Sequence, residues 1–291
     1  MRLTKTLTAL LALGLLALAA ARVAVADTQR TLTAQSGAVS ATLTWTQKNV
    51  GAAHVHLTIV RADVTLVDED LPNLVTARRV QSADGPSPGD TPQHLTVRDL
   101  DGNGEPEVIV DLYTNGAHCC FYSRIFRYPD MSGTGYEMTV HEWGDPGYVL
   151  KDLDGDGLPE FVSADDRFAY EFTAFAFSGL PIQIWQFRGG DFAPEMQDVT
   201  RSFPDQIKKD ARRWWNAFLA ARRHHEDARG VVAAWAADEY QLNLQDKVAT
   251  TLQGMVRRHE LGGPSGWPRE KKYVRALKKF LVDSGYLKLP A

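Results

Sequence analysis

Cysteine is almost missing: two residues in 291, adjacent at Cys119 and Cys120, so any thiol, disulfide or sulfur–metal chemistry is confined to one point of the chain. Enzyme signatures are missing as well. There is no G-x-S-x-G, no H-E-x-x-H and no phosphate-cradling P-loop. His141-Glu142 lacks the second histidine of a zinc protease, and His224-His225-Glu226-Asp227 closes a charged helical stretch as a solvated face. After the first 26 residues no stretch is apolar enough to cross a bilayer, which takes about 20 residues. Cations are scarce in the first part: residues 27–200 hold 26 acidic against 11 basic side chains, a net of −15, whereas residues 201–291 hold 10 against 18, a net of +8. The basic tail interleaves arginine and lysine with tryptophan, but at the spacing of helix packing, which argues against a nucleic-acid surface. The simplest use of the asymmetry is docking of one part on the other. An anionic envelope polymer or lipid is the other partner it suits.

What is present begins with a leader. Arg2 and Lys5 precede the uncharged apolar run from Leu7 to Ala21, and Ala24-Val25-Ala26 supplies the small-x-small pattern before Asp27. That is the form of a secretory signal peptide over residues 1–26, cut after Ala26. The expectation is an exported protein, periplasmic or extracellular, that is not integral to a membrane after cleavage.

Residues 28–71 alternate with period two and read as strands, as do "HLTVRDL", "EVIVDLYT", "YSRIFRY", "YEMTVHEW", "GYVLKDL", "EFVSAD", "YEFTAFAF" and "PIQIWQF". From Pro204 the period changes to that of helices: one from Pro204 to Gly230, two within residues 231–263 and a fourth over "WPREKKYVRALKKFLVDSG". The expected fold is α+β: an N-terminal strand region over 27–93, a second mostly antiparallel β region over 94–200, and a basic helical region over 201–291.

An internal repeat carries the chemistry. "VRDLDGNGEPE" at 97–107 and "LKDLDGDGLPE" at 150–160 share the form D-x-D-G-[DN]-G-x-P-E, with first aspartates 53 residues apart, and each precedes a strand. Carboxylates on alternate residues of a tight loop converge on one point, and glycine at the sixth place permits the turn. Calcium, a hard cation taking six to eight oxygens, is the ion such a loop suits. Side-chain ligands are Asp99, Asp101, Asn103 and Glu107 in the first loop, with the Glu105 carbonyl. In the second they are Asp152, Asp154, Asp156 and Glu160, with the Leu158 carbonyl. Without a cation the same spacing makes two acidic Asx turns. Neither loop is an EF-hand, because the last acid falls at place nine and strands flank the loop.

These loops resemble the FG-GAP or VCBS repeat family, the calcium loops of integrin-like β-propellers, over residues 94–178. The resemblance implies two calcium ions, the ligands just named and two propeller-blade-like units. With a repeat of 53 residues the chain has material for about three blades where a ring needs at least four, so an incomplete propeller is expected. The whole chain is also similar to exported bacterial proteins with "GAHCC" after such a loop, which implies no activity.

"GAHCC" follows the first loop and its strand. In an oxidising compartment a vicinal Cys119–Cys120 disulfide stiffening the turn is the leading reading. A copper or zinc ion on His118, Cys119 and Cys120, with His54 or His56 completing it, is the alternative. The functional expectation is a non-catalytic, calcium-binding interaction module with an unidentified envelope or protein partner. Two alternatives stand beside it: a calcium-dependent glycan hydrolase using the acids among Asp165, Asp166, Arg167 and Glu171, and a thiol or metal redox protein centred on His118-Cys119-Cys120.

Overall fold

The computed structural model describes residues 27–74, 89–129, 135–189 and 195–288. The expected signal peptide at 1–26 lies outside the described residues. Among the described residues, twelve strands form three antiparallel meanders of four. The first sheet contains β1 (Thr28–Ser36), β2 (Val39–Gln47), β3 (Ala52–Arg61) and β4 (Val64–Asp70). The second contains β5 (Thr91–Arg98), β6 (Glu107–Gly116), β7 (Cys119–Arg127) and β8 (Glu137–Gly144). The third contains β9 (Val149–Lys151), β10 (Glu160–Ala164), β11 (Ile182–Arg188) and β12 (Glu195–Asp198). Four helices follow: α1 (Pro204–His224), α2 (Arg229–Gln241), α3 (Gln245–Arg257) and α4 (Lys271–Asp283).

The second sheet is a wall shared by two cores. Alternate residues of β6 point to opposite faces: Val108, Val110 and Leu112 join Leu43, Leu57 and Ile59 of the first sheet, with Tyr122 and Phe126 from β7. Ile109 and Ile125 face the other way and meet Phe161 and Phe187 of the third sheet, with Leu100 and Trp143. A third core holds the helices together around Trp235, Phe218, Met255, Tyr273 and Leu281, and takes in Phe168 and Phe172 from the segment joining β10 to β11. Helix α2 is buried nearly all round, as expected of the central helix of that cluster.

The propeller-blade-like units expected from the repeat are corrected by this architecture. The sheets are flat and open, none is curled into a blade, and they do not close around an axis. They pack face to face through two cores, so the fold is α+β with N-terminal sheets and C-terminal helices. Two local expectations also change. "YEFTAFAF" is no strand: residues 166–168 and 175–177 form single 3-10 turns, because Phe172 and Phe168 are drawn onto α4 at ring separations of 5.4 and 4.8 Å from Phe280. The first helix ends at His225, in the left-handed conformation, and Gly230 lies inside α2, where a side chain would meet the Phe177 carbonyl at 2.2 Å.

Candidate metal centre

Both repeat loops connect the first two strands of a meander, β5 to β6 and β9 to β10, and they fold bond for bond alike. Asp99 accepts the Gly102 and Gly104 amides at 2.7 and 2.9 Å; Asp152 accepts those of Gly155 and Gly157 at 2.7 and 3.1 Å. Asp101 and Asp154 each accept the amide two residues on, at 3.2 and 3.3 Å. Asn103 and Asp156 do the same at 2.7 and 2.8 Å. Glu107 and Glu160 reach back seven residues to the Leu100 and Leu153 amides, both at 2.8 Å. The four loop glycines adopt φ between 77° and 92°, a region glycine enters without cost. Backbone amides thus hold both oxygens of Asp99 and of Asp152, and one oxygen each of Asp101, Asp154, Asp156, Glu107 and Glu160.

Two acidic clusters result. Carboxylate oxygens of Asp99, Asp101 and Glu107 lie within 4.8 Å of one another, as do those of Asp152, Asp154 and Asp156. Glu160 is not drawn into the second cluster, although its position copies that of Glu107. Both glutamates are fully buried, and the second oxygen of each, Oε1, meets no partner. A buried acceptor left unpaired costs about 1–3 kcal/mol, and a cation in the loop is the partner that the donor set fits. Burial pushes the Glu107 carboxyl up to about 8, with Asp101 and Asp99 adding repulsion and the Leu100 amide and Arg127 opposing. Burial raises Glu160 as well, with Asp154 and Asp156 adding to it.

The loops differ in one respect that the repeat does not reveal. Arg127, at the end of β7, donates to Asp101 Oδ2 at 2.8 Å, with both side chains nearly buried. Gly189 lies over the pair; a Cβ there would sit 2.0 Å from that oxygen. The first loop is therefore half-buried and part-neutralised, the second open and uncompensated. Glu105 turns its carboxylate outward to Arg61, with bonds of 2.7 and 3.0 Å. Leu158 of the second loop packs on Gly102 of the first, so the clusters are neighbours.

Among the described residues, neither acidic cluster that could hold a metal ion includes His118 or Cys120. Both ring nitrogens of His56 are occupied by Asp68 and Asp70, at 2.9 and 2.8 Å, and the Asp68 bond foremost raises its pKa. The His118 ring stacks on Phe175 at 3.8 Å between centroids, fastening the β6–β7 turn to the segment before β11. The expected vicinal disulfide involves the Cys119 side chain, which lies outside the described residues. Cys120 is 1% exposed and disulfide-bonded, not a free thiol, and its amide donates to the Thr114 hydroxyl at 2.8 Å.

A cleft of about 550 Å³ lies between β8, β10, β11 and the first 3-10 turn, and contains Asp165, Asp166 and Arg167. Asp165 is committed structurally: Arg167 grips both its oxygens and the Tyr286 hydroxyl donates to it at 3.0 Å. His141 packs against Trp143 and Trp185 at ring separations of 4.1 and 4.5 Å, with planes inclined by 54° and 62°, and burial lowers its pKa to about 4. Sequence reasoning missed Arg127, Gly189 and this aromatic cluster, because only strand pairing and sheet packing bring them into place.

Fold and site together define an α+β protein with two neighbouring acidic loops able to hold a metal ion, and with no described helix long and apolar enough to cross a membrane. Among known proteins, the chain is 28% identical over 214 residues to a Synechocystis protein named "Probable thylakoid lumen protein", covering 66% of this chain and 60% of the relative. It is 29% identical over 202 residues to an uncharacterized protein, y4bJ, of Sinorhizobium fredii, covering 63% of this chain and 30% of that one. The chain thus spans less than two thirds of either relative. No family model matches, which withdraws the FG-GAP/VCBS assignment, and no solved structure matches.

Proposed function

We propose that this protein is a calcium-braced, non-catalytic interaction module that works outside the cytoplasm. The observation that carries the reading is the pair of fully buried glutamates, Glu107 and Glu160, each ending a loop of the same hydrogen-bond plan and each presenting an unpartnered oxygen beside a cluster of aspartates. In this reading Asp99, Asp101, Asn103 and Glu107 hold one ion with the Glu105 carbonyl. Asp152, Asp154, Asp156 and Glu160 hold the other with the Leu158 carbonyl, Glu160 swinging in on binding. The ion neutralises crowded carboxylates and ties strand pairs of two sheets together; it is a brace, which implies no reaction. Export is supported by the leader pattern of residues 1–26 and by the lumenal name of the Synechocystis relative. The partner is an envelope polymer or another envelope protein.

Native mass spectrometry of the purified protein, with and without chelator, tests this directly. Two calcium ions per chain, lost on chelation together with a fall in melting temperature, are expected. Absence of bound calcium at millimolar concentration, or binding of zinc or copper in its place, defeats the proposal.

A further inference from the structure

The helical region holds a second site, chemically unrelated to the loops. Between α1, α2 and α3 runs a groove of about 760 Å³, inside the range of about 300–1,000 Å³ typical of small-molecule pockets. Its floor is the paired indoles of Trp215 and Trp235, 5.3 Å apart and tilted by 50°, and Leu244 stands 41% exposed on its wall.

The charges along the groove select the ligand. Lys208 and Arg212 stand one turn apart on α1, and Lys247 faces the groove from α3. The one carboxylate among the described lining residues, Glu239, is 4% exposed: its Oε1 accepts the Trp235 indole N–H at 3.1 Å and Lys247 at 2.5 Å, while its Oε2 is buried without a hydrogen-bond partner. Glu239 is thereby matched by Lys247, and Lys208 and Arg212 are left as the electrostatic signature of the mouth. Among the described residues, Lys208 pairs with Asp205, whose side chain is 92% exposed, a contact of small worth. The whole region from 201 to 291 carries a net charge of +8, which raises the local concentration of anions.

We propose that this groove binds a free single-chain anionic amphiphile, its apolar chain lying on Trp215, Trp235 and Leu244 and its carboxylate meeting Lys208 and Arg212. The arrangement separates the two ends of the ligand: the tail is desolvated against indole and leucine, while the head stays at the solvent edge where two cations converge. A cationic amphiphile meets the same floor but the wrong rim.

Calorimetric titration of the full chain with monomeric sodium decanoate tests this, with decyltrimethylammonium as the opposite-charge probe. One saturable site is expected for decanoate, at least tenfold tighter than for the cation and weakened by added salt. The double variant Lys208→Glu/Arg212→Glu weakens decanoate at least tenfold, whereas Lys278→Glu/Lys279→Glu on α4, with the same change of net charge, leaves it within twofold. Both variants alter side chains that are exposed in the fold, and circular dichroism confirms that each is folded. No saturable binding, equal binding of the two probes, tighter binding of the cation through Glu239, or equal loss in both variants overturns the proposal.

Discussion

Replacing Glu107 by glutamine separates a ligand from a structural acid. The side chain is fully buried, its Oε2 accepts the Leu100 amide at 2.8 Å, and its Oε1 has no partner. Glutamine keeps the shape and the acceptor for Leu100, and places its amide where an unpaired oxygen stood. One orphaned polar atom replaces another, so without calcium the variant melts within about 2 °C of the parent, a change of less than about 1 kcal/mol. With calcium the two diverge. An ion at 100 times its dissociation constant adds about 2.7 kcal/mol to the folded state, or about 5–10 °C for a chain of this size. The parent gains this at two sites and Glu107→Gln at one. Differential scanning calorimetry in chelator and in excess calcium reads both numbers. A full two-site gain in the variant refutes the ligand role. A fall in chelator as large as the calcium gain shows instead that Glu107 is a structural acid.

Three further outcomes follow from the packing. His141, with its pKa lowered to about 4 by burial against two indoles, stays neutral in the folded protein while the unfolded chain takes up a proton near pH 6.5. The folded state therefore loses up to about 3 kcal/mol as pH falls from 6.5 to 4 and nothing more below. His141→Phe removes that slope in urea titrations, and parallel parent and variant curves contradict the reasoning. Gly230→Ala improves helix propensity yet destabilises by about 1–3 kcal/mol, because the new Cβ meets the Phe177 carbonyl at 2.2 Å; a rise in the urea midpoint counts against the placement of α2. Asp227→Ala strips the fully buried Arg229 of its carboxylate partner, bonded at 2.6 and 2.8 Å. Chemical denaturation then reads a loss of about 3–5 kcal/mol, and a loss below 1 kcal/mol shows that Arg229 finds other partners.

The loops were legible in the sequence because their whole hydrogen-bond plan spans nine residues: no bond within either loop reaches further than seven positions. Period located α1, α3 and α4, whose amphipathic faces repeat locally, whereas α2 is buried nearly all round and its start was misplaced at Gly230. The sheet arrangement was not legible, since a 53-residue repeat of loop and strand fits a curled blade and a flat meander equally well; which face each strand buries is settled by the sheet packed against it. Residues 170–177 show the same limit. Their alternating aromatics have the pattern of a strand, and α4 turns them into a docking segment. Arg127 lies 26 residues from Asp101, and Trp215 meets Trp235 only after α1 and α2 fold back on each other.

The shared wall has a consequence for how the protein comes apart. Because β6 and β7 supply side chains to the cores on both of their faces, neither outer sheet can melt without exposing half of the middle one, and the three meanders unravel as one cooperative unit. The two acidic loops join an edge strand to its neighbour, one in the middle sheet and one in an outer sheet of that unit. A single ion lost from one of them is therefore felt as slower or faster amide exchange across sheets it does not touch.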